Sequence, residues 1–177
     1  MLDYPVFVVT AQADGHPSGC LVSFATQASV QPPRFLVNLS RISHTFGVAS
    51  RSEYLAVHVL PRRHRLLAEL FDSRTDDQFN KFDRCSWRAG PMGVPILDEA
   101  VAWFVGRTVD RGDVGDHVVF VLEPVAVWAP ECSEDLLYLG DVDDIDPDDG
   151  GLHRSADWEA GDPTRRYGVV KFTLKGI

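Results

Sequence analysis

Cysteine is scarce in this chain. The three thiols, Cys20, Cys85 and Cys132, are far apart, odd in number and part of no Cys-x-x-Cys or Cys/His pair. That leaves neither a disulfide framework nor a zinc site, and wholly or partly buried free thiols are the simple reading. Long apolar runs are lacking too, since none approaches the ~20 residues of a membrane helix. The opening Met1-Leu2-Asp3-Tyr4-Pro5-Val6 has no basic start and no apolar core of a secretory signal, so a cytoplasmic protein with no membrane partner is expected. Neither Gly-x-Gly-x-x-Gly nor a Walker motif occurs, which removes a separate Rossmann or P-loop nucleotide domain. No Gly-x-Ser-x-Gly elbow supports a serine hydrolase. His16, His58, His64 and His153 show no ligand spacing, and no metal is expected. Asp146, Asp148 and Gly150 faintly resemble a calcium loop, but Pro147 interrupts it and the terminal Glu is missing.

A basic excess is also absent. The formal net charge is -9, and it is concentrated in one place. Nine acidic residues and no Lys or Arg lie between Glu131 and Asp149; outside that stretch 17 acidic residues balance 17 basic ones. Phosphate backbones need a basic face, so nucleic acid is excluded as a partner. The acidic stretch reads as a solvated surface loop.

What is present is β-rich. The 177 residues suffice for one domain with a full core, and 45% of them are hydrophobic. Residues 6–11 are a β-branched run that reads as a buried strand, Asp14-Gly15 as a turn, and 18–25 as the returning strand. Residues 26–29 then read as a small polar loop, closed by Pro32-Pro33 before a strand over 34–39. Ser43 suits the N-cap of a short helix over 44–50. A strand over 53–60 follows, then a helix over 64–71 with Leu66, Leu67, Leu70 and Phe71 on one face and Arg65 and Glu69 opposite. The polar stretch 72–93 holds Phe79, Phe82 and Trp87 as anchors. Strands are predicted at 96–97, 100–108 and 117–128, with a turn over 110–116, and a last strand or packing arm over 167–174. Many short strands with one or two helices predict a β-barrel with flanking helices.

Three constellations carry chemistry, each with a plain alternative. Residues 26–29 are short or amide-bearing, so their backbone N–H groups can approach a flat polar ligand; otherwise they make an ordinary hairpin turn. Ser40, Arg41 and Thr45 suit a phosphate through two hydroxyls and one guanidinium, or else form a helix cap with a surface Arg. Asp116 and His117 pair a carboxylate with an imidazole whose tautomer it would set, or simply end a turn and start a strand.

Taken in order, these elements resemble the flavin reductase-like family, the FMN-binding split barrels. The resemblance runs from residue 4 to 139. It rests on the strand–loop–Pro-Pro element at 19–33, on Leu39-Ser40-Arg41-Ile42-Ser43-His44-Thr45, on the Leu-Ala-x-x-Phe helix ending at Phe71, on Gly93-Val94-Pro95-Ile96-Leu97 and on Gly115-Asp116-His117. It implies a mainly β, Greek-key-like split barrel over residues 1–140, with an acidic loop and tail over 141–177 packing on the barrel or on a dimer partner. It implies FMN, with FAD as an alternative, held by Ser23, Ala25, Thr26, Gln27, Ala28, Ser29, Ser40, Arg41 and Thr45. His117 and Asp116 would be the catalytic pair, positioning NADH or NADPH or shuttling a proton.

The sequence departs from the family in three places. Arg41 replaces a common Lys, Gln27 replaces a small residue, and the N-terminal helix of many relatives is missing. The activity implied is hydride transfer from NAD(P)H to flavin, in a homodimer with flavin at the interface and with a flavin-dependent monooxygenase as a candidate recipient. Two alternatives remain beside it: a flavoprotein with fixed FMN acting on another small substrate, and a non-catalytic flavin- or haem-binding module.

Overall fold

The computed structural model describes residues 3–73 and 80–142. It is built on a seven-stranded antiparallel sheet in the order β2-β1-β5-β8-β9-β4-β3, with a two-stranded β6-β7 piece beside it. The strands are β1 (Phe7–Ala13), β2 (His16–Val22), β3 (Ala25–Val30), β4 (Pro33–Ser40), β5 (Tyr54–Val59), β6 (Trp87–Ala89), β7 (Pro95–Leu97), β8 (Ala102–Asp113) and β9 (His117–Trp128). Two helices flank them, α1 (His44–Ala49) and α2 (Arg65–Asp72). The sheet curls until β2 lies against β4. The expected mainly β split barrel is the fold the chain adopts.

Local chemistry explains the elements. β1 is buried on both faces, with Val9 and Ala11 in the barrel core and Val8 in the second core that Leu67 and Phe71 of α2 join. Asp14 and Gly15 both take positive φ (53° and 77°), the geometry of a two-residue hairpin turn, so β1 returns directly as β2. Ser43 caps α1 by accepting a hydrogen bond from Thr45 N. At the other end of α1, Arg111 donates to the carbonyls of Ser50 (2.9 Å), Ser52 and Ala49 while lying over the Phe120 ring. That guanidinium ties the helix to β8.

Three expectations are corrected. Residues 26–29 are not a loop but the middle of β3, an edge strand paired with β4 and bulged between Gln27 and Ser29. Cross-strand pairing, not propensity, holds that polar strand in place, and the turn moves back to Ser23 and Phe24. β8 runs on to Asp113, so the turn expected over 110–116 shrinks to 114–116. On α2 the buried face is Leu67, Ala68 and Phe71, whereas Leu66 is 78% exposed. At 100° per residue Leu66 points well away from the Leu67–Phe71 direction.

The core has two main parts. One fills the barrel with Val9, Val37, Leu39, Leu55, Val57, Phe120 and Leu122. The other lies under α2 and includes Val8, Leu21, Leu60, Phe71, Phe82, Leu137 and Val142. Gly19 is needed where α2 meets β2, because a Cβ there would sit 2.7 Å from Phe71 Cε1. Lys81 is also buried here, donating to the carbonyls of Phe71 (3.0 Å) and Gly19 (3.4 Å), and burial pushes its pKa down. Beyond β9 the chain closes over this core: Leu137 N donates to Leu60 O and Leu137 O accepts from Val6 N. Phe79, the end of the acidic stretch, the calcium-like segment and the 167–174 strand all lie outside the described residues.

Candidate functional site

The barrel topology brings three distant parts of the sequence together. β4 lies between β3 and β9, so Ser40 at its end is the direct register partner of His117 at the start of β9. Directly paired residues point to the same face of an antiparallel sheet. The predicted phosphate hydroxyl and the predicted catalytic imidazole are therefore neighbours.

Ser40 is 6% exposed, and its Oγ has no hydrogen-bond partner among the described residues. A buried hydroxyl without a partner costs free energy, so the position is poised for a ligand that bonds to it. Arg41 is exposed beside it. Its backbone N–H donates to the Asp116 carbonyl, which locks the β4 end to the β8–β9 turn.

His117 Nδ1 lies 2.8 Å from Asp116 Oδ1. A carboxylate only accepts, so it holds the proton on Nδ1 and leaves Nε2 as the acceptor. The His117 side chain is 13% exposed and meets the Phe24 ring edge-on at 5.5 Å. Phe24 is itself held in place: its carbonyl accepts from Asn38 N (3.0 Å) and Asn38 Nδ2 (2.8 Å). A 43% exposed aromatic ring thus stands over the imidazole on a fixed turn.

Among the other predicted residues, Ser23 is buried at the turn, while Ala25, Thr26, Gln27, Ala28 and Ser29 lie along β3. β3 ends the sheet, so its outer edge presents backbone N–H and C=O groups without a neighbouring strand. The donors expected from a loop come instead from a sheet edge. Gln27 Nε2 donates to Ser29 O at 3.1 Å, so that amide serves its own strand. Thr45 is 1% exposed and its Oγ1 pairs with Ser18 Oγ at 2.9 Å. Ser18 Oγ also meets His44 Nδ1 at 3.0 Å. The Thr45 side chain thus seats α1 on β2, while Ser40 and Arg41 face the site.

Phe24, Asn38 and Asp113, the ion-pair partner of Arg41, were not among the predicted site residues. Asn38 carried one signal, an amide in an otherwise apolar strand. Phe24 and Asp113 carried none that sequence spacing reveals. Among the described residues no group of three or more His, Cys, Asp or Glu is placed to hold a metal ion.

This donor set fits a flavin. An unpartnered buried hydroxyl and a guanidinium suit a phosphate, a polar sheet edge suits a flat ring with several acceptors, and an oriented imidazole lies across the strand pair from that hydroxyl.

Comparison with known proteins gives the family. The family described as flavin reductase like domain matches residues 2–144. The FMN reductase (NADH) RutF of Bradyrhizobium diazoefficiens is 30% identical over 135 residues, 76% of this chain and 74% of its own length. A flavin reductase domain protein from Arthrobacter sp. FB24 shares 29% identity and a TM-score of 0.70, covering 77% of this chain and 82% of its own. Nitrilotriacetate monooxygenase component B from Mycobacterium thermoresistibile shares 25% identity with a TM-score of 0.71, over 77% of this chain and 75% of its own.

Proposed function

The chain belongs to the flavin reductase-like family, and on that premise we propose that it is an NAD(P)H-dependent flavin reductase. FMN is its flavin, FAD the alternative, and NADH or NADPH the donor. The observation that carries the reading is the buried, unpartnered Ser40 hydroxyl next to Arg41 and across the strand pair from His117.

In this reading Ser40 and Arg41 bind the phosphate. The backbone edge of β3, from Ala25 to Ser29, and the Ser23 turn hold the ring, while Thr45 fixes the segment that carries Arg41. When bound, the flavin supplies the acceptor for a hydride from the nicotinamide, so the protein needs no nucleophile or metal. Asp116 orients His117, and Phe24 limits the space beside the imidazole. These groups set the approach of the two reactants, which is where a protein lowers the barrier to hydride transfer.

His117→Ala is expected to lower kcat for NADH-driven flavin reduction by about tenfold while FMN affinity changes less than threefold, as loss of a positioning contact would. Steady-state kinetics with a separate FMN titration checks this. Full turnover in the variant would remove His117 from the site.

Three further parts belong to the proposal. The protein is a homodimer with flavin at the interface, which the exposed apolar side chains Val30, Val109, Val125 and Val127 on three strands of one sheet support. Sedimentation with FMN present is expected to give a dimer, and a flavin-bound monomer would contradict it. A role in supplying reduced flavin to a flavin-dependent monooxygenase is supported by the likeness to the monooxygenase component B. The setting is cytoplasmic, in keeping with three free cysteines and a reaction that draws on NADH or NADPH. Among the described residues no helix is long and apolar enough to cross a membrane.

A further inference from the structure

Arg41 is already engaged in the structure. Its Nη2 donates to Asp113 Oδ1 at 2.5 Å and its Nε to the Gly115 carbonyl at 3.1 Å. The guanidinium is therefore folded back onto the β8–β9 turn. Both partners face solvent, with side chains 41% and 79% exposed, so the pair contributes little to stability. Its consequence falls on the ligand. A phosphate reaching Arg41 must either displace the Asp113 carboxylate or settle beside it, and either arrangement sets negative charge against negative charge. Asp116, on the same turn, meets His117 Nδ1 through its Oδ1 at 2.8 Å.

We infer that Asp113 competes with the flavin phosphate for Arg41, and that this competition keeps the flavin exchangeable. Flavin is then a substrate that enters and leaves with turnover, rather than a fixed prosthetic group. The inference rests on the reading of Arg41 as the phosphate ligand. It separates the flavin reductase reading from the fixed-flavin alternative by a residue that has no predicted role. The charge Asp113 adds is one unit near contact in a water-exposed site, which corresponds to about a fivefold to tenfold change in affinity. Replacing it with Asn keeps the shape and removes the charge.

Affinity and dissociation rate for FMN, and affinity for riboflavin, are measured by flavin fluorescence for the wild type, Asp113→Asn, Asp113→Glu, Arg41→Gln and the Asp113→Asn/Arg41→Gln double variant. Riboflavin has the same ring without the phosphate. Asp113→Asn is expected to bind FMN about fivefold to tenfold more tightly and release it more slowly, with riboflavin unchanged. Asp113→Glu retains the charge and stays within about twofold of the wild type. The gain shrinks as salt is added and vanishes in the Arg41→Gln background. Equal or weaker FMN binding by Asp113→Asn overturns the inference, as does an equal gain for FMN and riboflavin. A wild type that binds FMN no better than riboflavin removes the phosphate role of Arg41, and the inference falls with it.

Discussion

Arg41→Ala is expected to weaken FMN binding by about tenfold to hundredfold while the protein stays folded. A charge-assisted hydrogen bond to an anion is worth about 1.5–3 kcal/mol, and this variant loses it outright. Riboflavin binding should change little, since the ring is held elsewhere. The fold should survive because the exposed Arg41–Asp113 pair and the bond to Gly115 O are peripheral. The Arg41 backbone N–H, which anchors the β8–β9 turn through Asp116 O, is also untouched by the change. Parallel fluorescence titrations with FMN and riboflavin, with the melting temperature as control, check this. FMN affinity equal to the wild type would remove Arg41 from the site.

Acid is expected to destabilise the protein through His58, a residue far from the flavin chemistry. His58 is fully buried between β1, β5 and β7. Its Nδ1–H donates to Val8 O at 3.0 Å, and its Nε2 accepts from Leu97 N–H at 3.2 Å. Protonating Nε2 would set two donors face to face. Burial lowers the pKa from 6.5 to about 4; the bond to Val8 works against that shift, and Arg88 adds to it.

The sign follows from where the proton goes. Between pH 6.5 and 4 the unfolded chain takes up a proton on this histidine that the folded protein refuses. Stability is therefore whole above pH 6.5 and falls as pH drops to about 4, by about 3 kcal/mol from this group. Urea unfolding at a series of pH values in that window measures it. His58→Leu should be less stable at neutral pH, because Val8 O and Leu97 N–H lose their partner. It should also lose most of the slope that distinguishes the wild type. Parallel slopes for the two proteins would remove His58 as the cause.

How much of this was legible in the sequence depended on what holds each element together. The β-branched runs that became β1 and β9, the Asp14-Gly15 turn and the Ser43 cap all carry their reason locally, and all were read correctly. β3 does not. Thr26, Gln27, Ala28 and Ser29 have no strand pattern, and only pairing with Arg34, Phe35 and Leu36 holds them extended. The backbone groups of that segment accordingly lie on a strand edge instead of a loop.

The site followed the same division. Asp116 next to His117 is a contact between sequence neighbours and was visible. Ser40 beside His117 became visible only through the β4–β9 register, and Asp113 on Arg41 only because β8 follows β9 in the sheet. Asn38 holding Phe24 over the imidazole spans a turn whose position the sequence misplaced. Polar contacts between strands distant in sequence depend on topology, and composition does not encode it.

The most direct test is the visible absorption of flavin in a mixture of this protein and FMN, sealed from oxygen, as NADH and then NADPH are added. The account predicts rapid bleaching of the oxidised flavin band with at least one of the two, at a rate that rises with protein concentration, and return of the colour when air is admitted. Flavin that binds but keeps its colour with both nucleotides would contradict the reductase and leave a flavin-binding module.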